Sequence, residues 1–127
     1  MEDTLRTVVK AVDDKKGSDI VVLDVSQVAS FTDYFIICTG TSTTQMQTVT
    51  DEVEKRVREL GMRALHVEGY KVAEWILIDY GSLVLHVFSL KARAFYDLER
   101  LWRDGRRLDV EALLQEQSPQ TGQRQAK

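Results

Sequence analysis

The chain contains little cysteine, little proline and no long apolar segment. One of its 127 residues is cysteine and one is proline, which excludes a disulfide framework, and Cys38 alone cannot build a zinc site. No apolar run approaches the roughly 20 residues that span a bilayer. The start of the chain, residues 1–3, is acidic and lacks the features of a secretory signal or transit peptide. These absences predict a single cytoplasmic domain, and the chain is long enough to bury a core of its own.

The charges are unevenly distributed along the chain. Seventeen basic and twenty acidic side chains give a net charge of −3, but residues 1–89 carry −5 and residues 90–107 carry +3. An acidic body binds nucleic acid poorly, because that binding grows with the number of lysine and arginine contacts to phosphate. Complementary charge favours a basic protein partner instead. The alternative is that the net charge only keeps the protein soluble.

The apolar pattern switches between helical and strand spacing, which is typical of an α/β domain. Apolar residues at helical spacing predict helices near residues 5–12, 43–60, 95–102 and 109–115. Short apolar and β-branched runs predict strands at residues 19–25, 33–40, 64–68, 75–80 and 82–88. The predicted fold is a mixed sheet of about five strands with helices packed on it, in the order α-β-β-α-β-β-β-α. The main domain is predicted at 1–107, with a short helix within 108–115 and a disordered glutamine-rich tail at 116–127.

Residues 40–45 join the second strand to the second helix. Ser42 and Gln45 match a capping box, in which each side chain satisfies a free backbone N–H of the other residue. A turn of this kind before a helix can also hold a phosphate, so a nucleotidyltransferase-like enzyme that binds a nucleotide is a rival hypothesis. Such transferases need two closely spaced carboxylates to hold metal ions, and the next strand offers only Glu68. The sequence therefore predicts no catalytic residue, no cofactor and no metal site.

Residues 75–88 predict an antiparallel hairpin with two unlike faces. A two-residue turn at Tyr80 and Gly81 would put Trp75 directly opposite His86. One face is then entirely apolar. The other face carries Trp75, Asp79, His86 and Phe88. Aromatic and polar residues mixed in this way favour contact with another protein, although helices of the same domain covering this face are the open alternative.

Several short motifs, taken together, resemble the ribosomal silencing factor family, also called the Iojap-related proteins. The matching runs are DYF at 33–35, TGTS at 39–42, DEVE at 51–54, EG at 68–69, WILIDYG at 75–81, HVF at 86–88 and YDLERLW at 96–102. Each run is weak evidence alone, but the order and spacing of all of them are specific. The resemblance covers nearly the whole predicted domain.

The resemblance implies a nucleotidyltransferase-like fold without transferase activity. It implies binding to the large ribosomal subunit through a basic ribosomal protein on the intersubunit face, which blocks joining of the small subunit and represses translation when nutrients are scarce. It also implies a link to ribosome assembly, and it leaves direct contact with ribosomal RNA open. The implied partner-contact residues are Glu68, Trp75, Asp79, Tyr80, His86 and Phe88, with Tyr96 and Leu98 as neighbours. A third hypothesis, a homodimer of the free protein through Trp102 and the hairpin, is compatible with this resemblance.

Overall fold

Five helices and six strands form the part of the chain that the structure, a computed structural model, describes, residues 1–115. The helices are α1 (Glu2–Asp14), α2 (Thr43–Glu59), α3 (Leu90–Tyr96), α4 (Leu98–Leu101) and α5 (Val110–Leu114). The strands are β1 (Ser18–Asp24), β2 (Tyr34–Gly40), β3 (His66–Glu68), β4 (Trp75–Asp79), β5 (Leu83–Ser89) and β6 (Arg106–Arg107). The tail predicted at 116–127 lies outside the described residues. Within residues 1–115, none of the helices has the length and hydropathy of a membrane span.

The strands form one mixed sheet in the order β3-β4-β5-β2-β1-β6. β2 and β5 run parallel, and the other neighbouring strands pair antiparallel. The predicted α/β class with a mixed sheet and helices is confirmed, but the count of about five strands was one too low. The missed strand is β6, whose two exposed arginines pair with Leu23 and Asp24 of β1. Two polar residues carry no alternating pattern, so hydrophobic periodicity could not find this strand.

Each face of the sheet has its own apolar core. The first face packs against the long helices α1 and α2, and its fully buried side chains include Ile36, Ile76 and Leu85. The second face includes Phe35, Ile37 and Phe88 and packs against the short helices α3 and α4. The second helical layer is therefore the smaller one, with 7 and 4 residues against 13 and 17 in the first.

The start of α2 is capped largely as the sequence predicts. The Ser42 hydroxyl accepts from the Gln45 backbone N–H at 3.0 Å. The Gln45 side chain differs from the predicted capping box, because its Oε1 accepts from the backbone N–H of Thr41, at 2.7 Å, rather than from that of Ser42. Its Nε2 donates to the carbonyl of Lys16 at 2.8 Å. Gln45 thus ties the β2–α2 turn to the end of α1.

The hairpin has the predicted faces but a different register. Trp75 pairs with Phe88 and Leu77 pairs with His86, so the predicted Trp75–His86 pair was wrong by two residues. The central turn residues are Gly81 and Ser82, and Gly81 has a φ of +88°, which favours glycine at this position. Because side chains alternate with a period of two, a two-residue shift leaves every side chain on its predicted face.

The single helix predicted near residues 95–102 is divided into α3 and α4 at Asp97. Asp97 has a φ of 44°, a left-handed conformation that aspartate tolerates better than most residues. The Arg93 guanidinium bridges the break, with Nε 2.9 Å from Oε1 of Glu99 and Nη1 2.7 Å from Oγ1 of Thr39 on β2. This arrangement fixes both short helices on the second face of the sheet.

Candidate partner-binding surface

The second face of the sheet is incompletely covered over β3 and β4. On β3, His66 and Glu68 pair with Asp79 and Leu77 of β4 and lie on the same face as Trp75. His66 and Glu68 are exposed, whereas Trp75, Leu77 and Asp79 are half-buried. We call these five residues the open face. Its position follows from topology, because α3 and α4 come directly after β5 and lie over the middle strands.

Trp75 is the centre of an aromatic cluster that connects the open face to the core. Its ring centroid lies 4.6 Å from that of Tyr96, 4.9 Å from that of Phe88 and 5.8 Å from that of His86. Its indole Nε1–H donates to Nδ1 of His86 at 3.1 Å. Tyr96, at the end of α3, is 49% exposed. The cluster is thus buried at Phe88 and His86 and accessible at Trp75 and Tyr96.

The open face carries negatively charged side chains beside Trp75. Glu68 carries an exposed carboxylate, and one oxygen of Asp79 accepts from the Gly81 backbone N–H at 2.7 Å. The open face therefore carries two carboxylates beside its aromatic ring, an arrangement that suits a basic partner.

The structure divides the eight predicted contact residues into two groups. The residues that reach the surface of this side are Glu68, Trp75, Asp79 and Tyr96. Three others support that side from below: Phe88 is fully buried, His86 is 4% exposed and Leu98 is 7% exposed. Tyr80 differs from these, because it packs into the first core, on the opposite face of the sheet. These four side chains expose at most 7% of their surface, so we expect the first group to supply most of the contact area.

Leu77 lies on the open face but is not among the predicted contact residues, and two residues of α3 and α4 are more exposed than their spacing predicts. Phe95 and Leu101 belong to the apolar spacing that predicts the helix near 95–102, a spacing typical of a buried stripe, yet they are 79% and 72% exposed. The break at Asp97 turns them outward while it turns Leu98 inward. With Tyr96 they line an open cleft of about 500 Å³ that Arg100 and Arg103 also border. We call Phe95, Tyr96 and Leu101 the apolar ridge, and Tyr96 joins it to the open face.

The candidate nucleotide site of the rival hypothesis lies at the start of α2, where its residues have a structural role. Ser42 is engaged as the helix cap, and the cleft beside it, about 340 Å³, includes the carboxylate of Glu74 together with Lys91. Within residues 1–115, there is no group of three or more His, Cys, Asp or Glu side chains that could hold a metal ion. Burial raises the pKa of the Cys38 thiol to about 12, which keeps it protonated and a poor nucleophile. The Ser42 hydroxyl is thus used as the N-terminal cap of α2.

The fold and this surface define a small α/β domain that presents an acidic, aromatic sheet face. Comparison with known proteins narrows this class. A family model described as "Ribosomal silencing factor during starvation" matches residues 1–127. The "Ribosomal silencing factor RsfS" of Halalkalibacterium halodurans is 39% identical over 113 residues, which are 89% of this chain and 97% of that protein. The "Protein Iojap-related, mitochondrial" of Arabidopsis thaliana is 32% identical over 78% of this chain and 56% of that protein.

A solved structure agrees with these sequence comparisons. The crystal structure of a protein from Chromobacterium violaceum matches with a TM-score of 0.77 and 34% identity, over 80% of this chain and 84% of that chain. The chain belongs to the ribosomal silencing factor family, which includes Iojap-related proteins, and the resemblance found in its motifs is confirmed.

Proposed function

We propose that this protein silences ribosomes by steric exclusion. It binds the large ribosomal subunit through a basic ribosomal protein on the intersubunit face, and there it blocks joining of the small subunit and represses translation when nutrients are scarce. The protein acts in the cytoplasm and is not an enzyme. Its sheet is of the nucleotidyltransferase-like kind that the family resemblance implies, without transferase activity.

The observation that carries this proposal is the chemistry of the open face. Trp75 and Leu77 offer half-buried apolar area, and Glu68 and Asp79 add negative charge beside it. Aromatic anchors with complementary charge around them are typical of the centre of a protein interface. The apolar ridge extends this surface, because Tyr96 contacts Trp75 on one side and Phe95, at a centroid distance of 5.0 Å, on the other.

Steric exclusion requires only occupancy. A protein bound to one subunit at a surface that the other subunit needs lowers the concentration of subunits that can join, in proportion to the occupied fraction. The rigidity of the surface helps here, since a preorganised site loses little conformational entropy when it binds. No bond in the ribosome has to form or break.

The proposal is tested by sedimentation of the protein with separated ribosomal subunits at two salt concentrations. We expect the chain to sediment with large subunits only, and Trp75→Ala to weaken binding by about 2 kcal/mol or more, roughly thirtyfold, if Trp75 is a central anchor. Glu68→Lys should weaken binding most at low salt, because screening hides exposed charges at high salt. Asp79→Asn tests charge alone, since it keeps the oxygen that accepts from Gly81.

A matched control uses the exposed Asp13 at the end of α1, on the opposite side of the sheet. Asp13→Lys changes the net charge as Glu68→Lys does but lies far from the open face. We expect it to bind like the unaltered protein. Equal binding by the Trp75→Ala, Glu68→Lys and Asp13→Lys variants would remove the open face from the interface.

We also propose that the free protein self-associates through the apolar ridge. Phe95 and Leu101 expose large side chains that a second copy could bury. Trp102, the dimer contact of the sequence-based hypothesis, is half-buried and packs against Phe31 and Phe35, with ring centroids 5.8 Å and 5.3 Å away. Light scattering at several concentrations tests this, and Phe95→Ser should shift the equilibrium to monomer. An unchanged monomer mass at all concentrations would contradict self-association.

A further inference from the structure

The bond between Trp75 and His86 fixes the chemical state of the histidine. The indole Nε1–H can only donate, so Nδ1 of His86 must accept, at 3.1 Å. A ring nitrogen that accepts carries no proton. His86 is therefore the neutral tautomer with its proton on Nε2.

The other side of the ring makes no polar contact within the described residues. Nε2 is buried and has no hydrogen-bond partner there. The ring lies edge-to-face with Phe35 at 5.0 Å and parallel to Phe88 at 6.1 Å. A buried donor without an acceptor lowers stability, so an apolar residue would suit this part of the core better. Among residues 1–115, the His86 side chain makes one hydrogen bond, the one that it accepts from Trp75.

We propose that His86 is a positioning residue for the partner-binding surface: it holds the Trp75 indole in one orientation and accepts from its only polar group. Trp75 then meets the partner through its ring alone. This inference rests on the proposed function. It also specifies the partner chemistry. Because Nε1 already donates to His86, the partner needs no hydrogen-bond acceptor there, and an aliphatic or cationic side chain suits the ring.

A restrained Trp75 side chain would lose less conformational entropy when a partner binds. The side chain is half-buried, so packing restrains only part of it, and Tyr96 beside it is itself 49% exposed. A bond from the indole to a buried acceptor restricts rotation before a partner arrives. A rigid aromatic anchor loses less freedom on binding than a mobile one.

The first half of the test uses the free protein and NMR. The chain has two histidines and two tryptophans, so each ring can be assigned by substitution of its counterpart. We expect long-range ¹H–¹⁵N spectra to show the Nε2-protonated tautomer for His86, and the Trp75 indole proton to exchange slowly. His86→Phe keeps the ring and removes the acceptor, and should speed this exchange. His86→Asn, whose Oδ1 lies near the position of Nδ1, should restore slow exchange.

The second half measures binding to isolated large subunits. We expect His86→Phe to weaken binding about fivefold, as for one lost hydrogen bond, and His86→Asn to recover most of it. Trp75→Phe, which keeps a ring, should bind better than Trp75→Ala. Val87→Ala, a buried change on the same strand that lies in the first core, controls for lost stability and should bind normally.

The outcomes are separable. An Nδ1-protonated His86, or unchanged indole exchange in His86→Phe, overturns the proposal without any ribosome present. Normal binding by His86→Phe, or equal losses in Trp75→Phe and Trp75→Ala, also overturns it, because the surface would then not depend on a fixed indole used through its ring. If the unaltered protein fails to bind large subunits, the proposed function fails and the positioning role with it, while the NMR result still reports the bond.

Discussion

At the scale of single residues, Trp75 and His86 connect the interior of the protein to its proposed interface. Trp75 is half-buried on β4 and His86 is 4% exposed on β5, and the bond between them crosses the two strands diagonally. The same burial that supports this bond makes His86 difficult to protonate, since a charged ring would lose its hydration and its acceptor nitrogen.

The stability of the protein should therefore decrease in mild acid. Burial lowers the pKa of His86 from 6.5 to about 3. Between these values the unfolded chain binds a proton that the folded chain does not, so the free energy of unfolding is complete above pH 6.5 and decreases as pH falls below it. The expected slope is about 1.4 kcal/mol per pH unit, or about 2 kcal/mol by pH 5. Urea unfolding at several pH values measures it.

The control for this prediction is His86→Phe, which removes the titrating group. Its free energy of unfolding should vary less between pH 7 and pH 5 than that of the unaltered protein. Asp24, Glu52 and Glu99 have pKa values lowered by hydrogen bonds, and they reduce stability only at lower pH, as they become protonated. If the free energy of unfolding depended on pH identically in the two proteins, His86 would not be the group responsible.

At the scale of elements, the break between α3 and α4 determines which apolar residues reach the surface. The turn at Asp97 buries Leu98 and exposes Phe95 and Leu101. Arg93 and Glu99 are the contacts that span this break, and their side chains are only 13% and 27% exposed. Hydrogen bonding to Arg93 lowers the pKa of Glu99, which indicates that the pair stabilises the charged carboxylate.

Removal of Arg93 should loosen both short helices. Arg93→Ala leaves Glu99 without its partner and Thr39 without a donor, and we expect a loss of about 1–3 kcal/mol in the free energy of unfolding. Amide hydrogen exchange should increase in α3 and α4 more than in α1. Arg100→Ala, at an exposed residue of α4, serves as the control and should change stability by less than about 0.5 kcal/mol. Equal exchange in the two variants would show that Arg93 does not hold the break.

The sequence predicts the parts of this arrangement that depend on periodicity. Alternation along 75–88 identifies the two faces of the hairpin correctly, whereas the register depends on which side of Gly81 the turn falls, and both choices keep the same faces. The exposure of Phe95 could not be predicted, because an unbroken helix through residue 97 satisfies the same apolar spacing. The Trp75–His86 bond depends on side-chain orientation across the strands, which no pattern in the sequence specifies.

At the scale of the whole molecule, two layers of unequal size leave one part of the sheet open. The long helices α1 and α2 cover the first face, and the short α3 and α4 cover only the middle of the second. The open face and the apolar ridge lie side by side on that second face, with Tyr96 between them. A single rigid surface of this kind is what a protein that acts by occupancy requires.

Steric exclusion is tested most directly by a subunit-joining measurement with ordered addition. Large subunits are incubated with the protein before small subunits are added, and light scattering or sedimentation then measures the joined ribosomes. We expect the unaltered protein to lower joining in proportion to its occupancy of large subunits. Trp75→Ala should lose this effect, and Asp13→Lys should keep it. Undiminished joining when the protein occupies the large subunits would contradict steric exclusion.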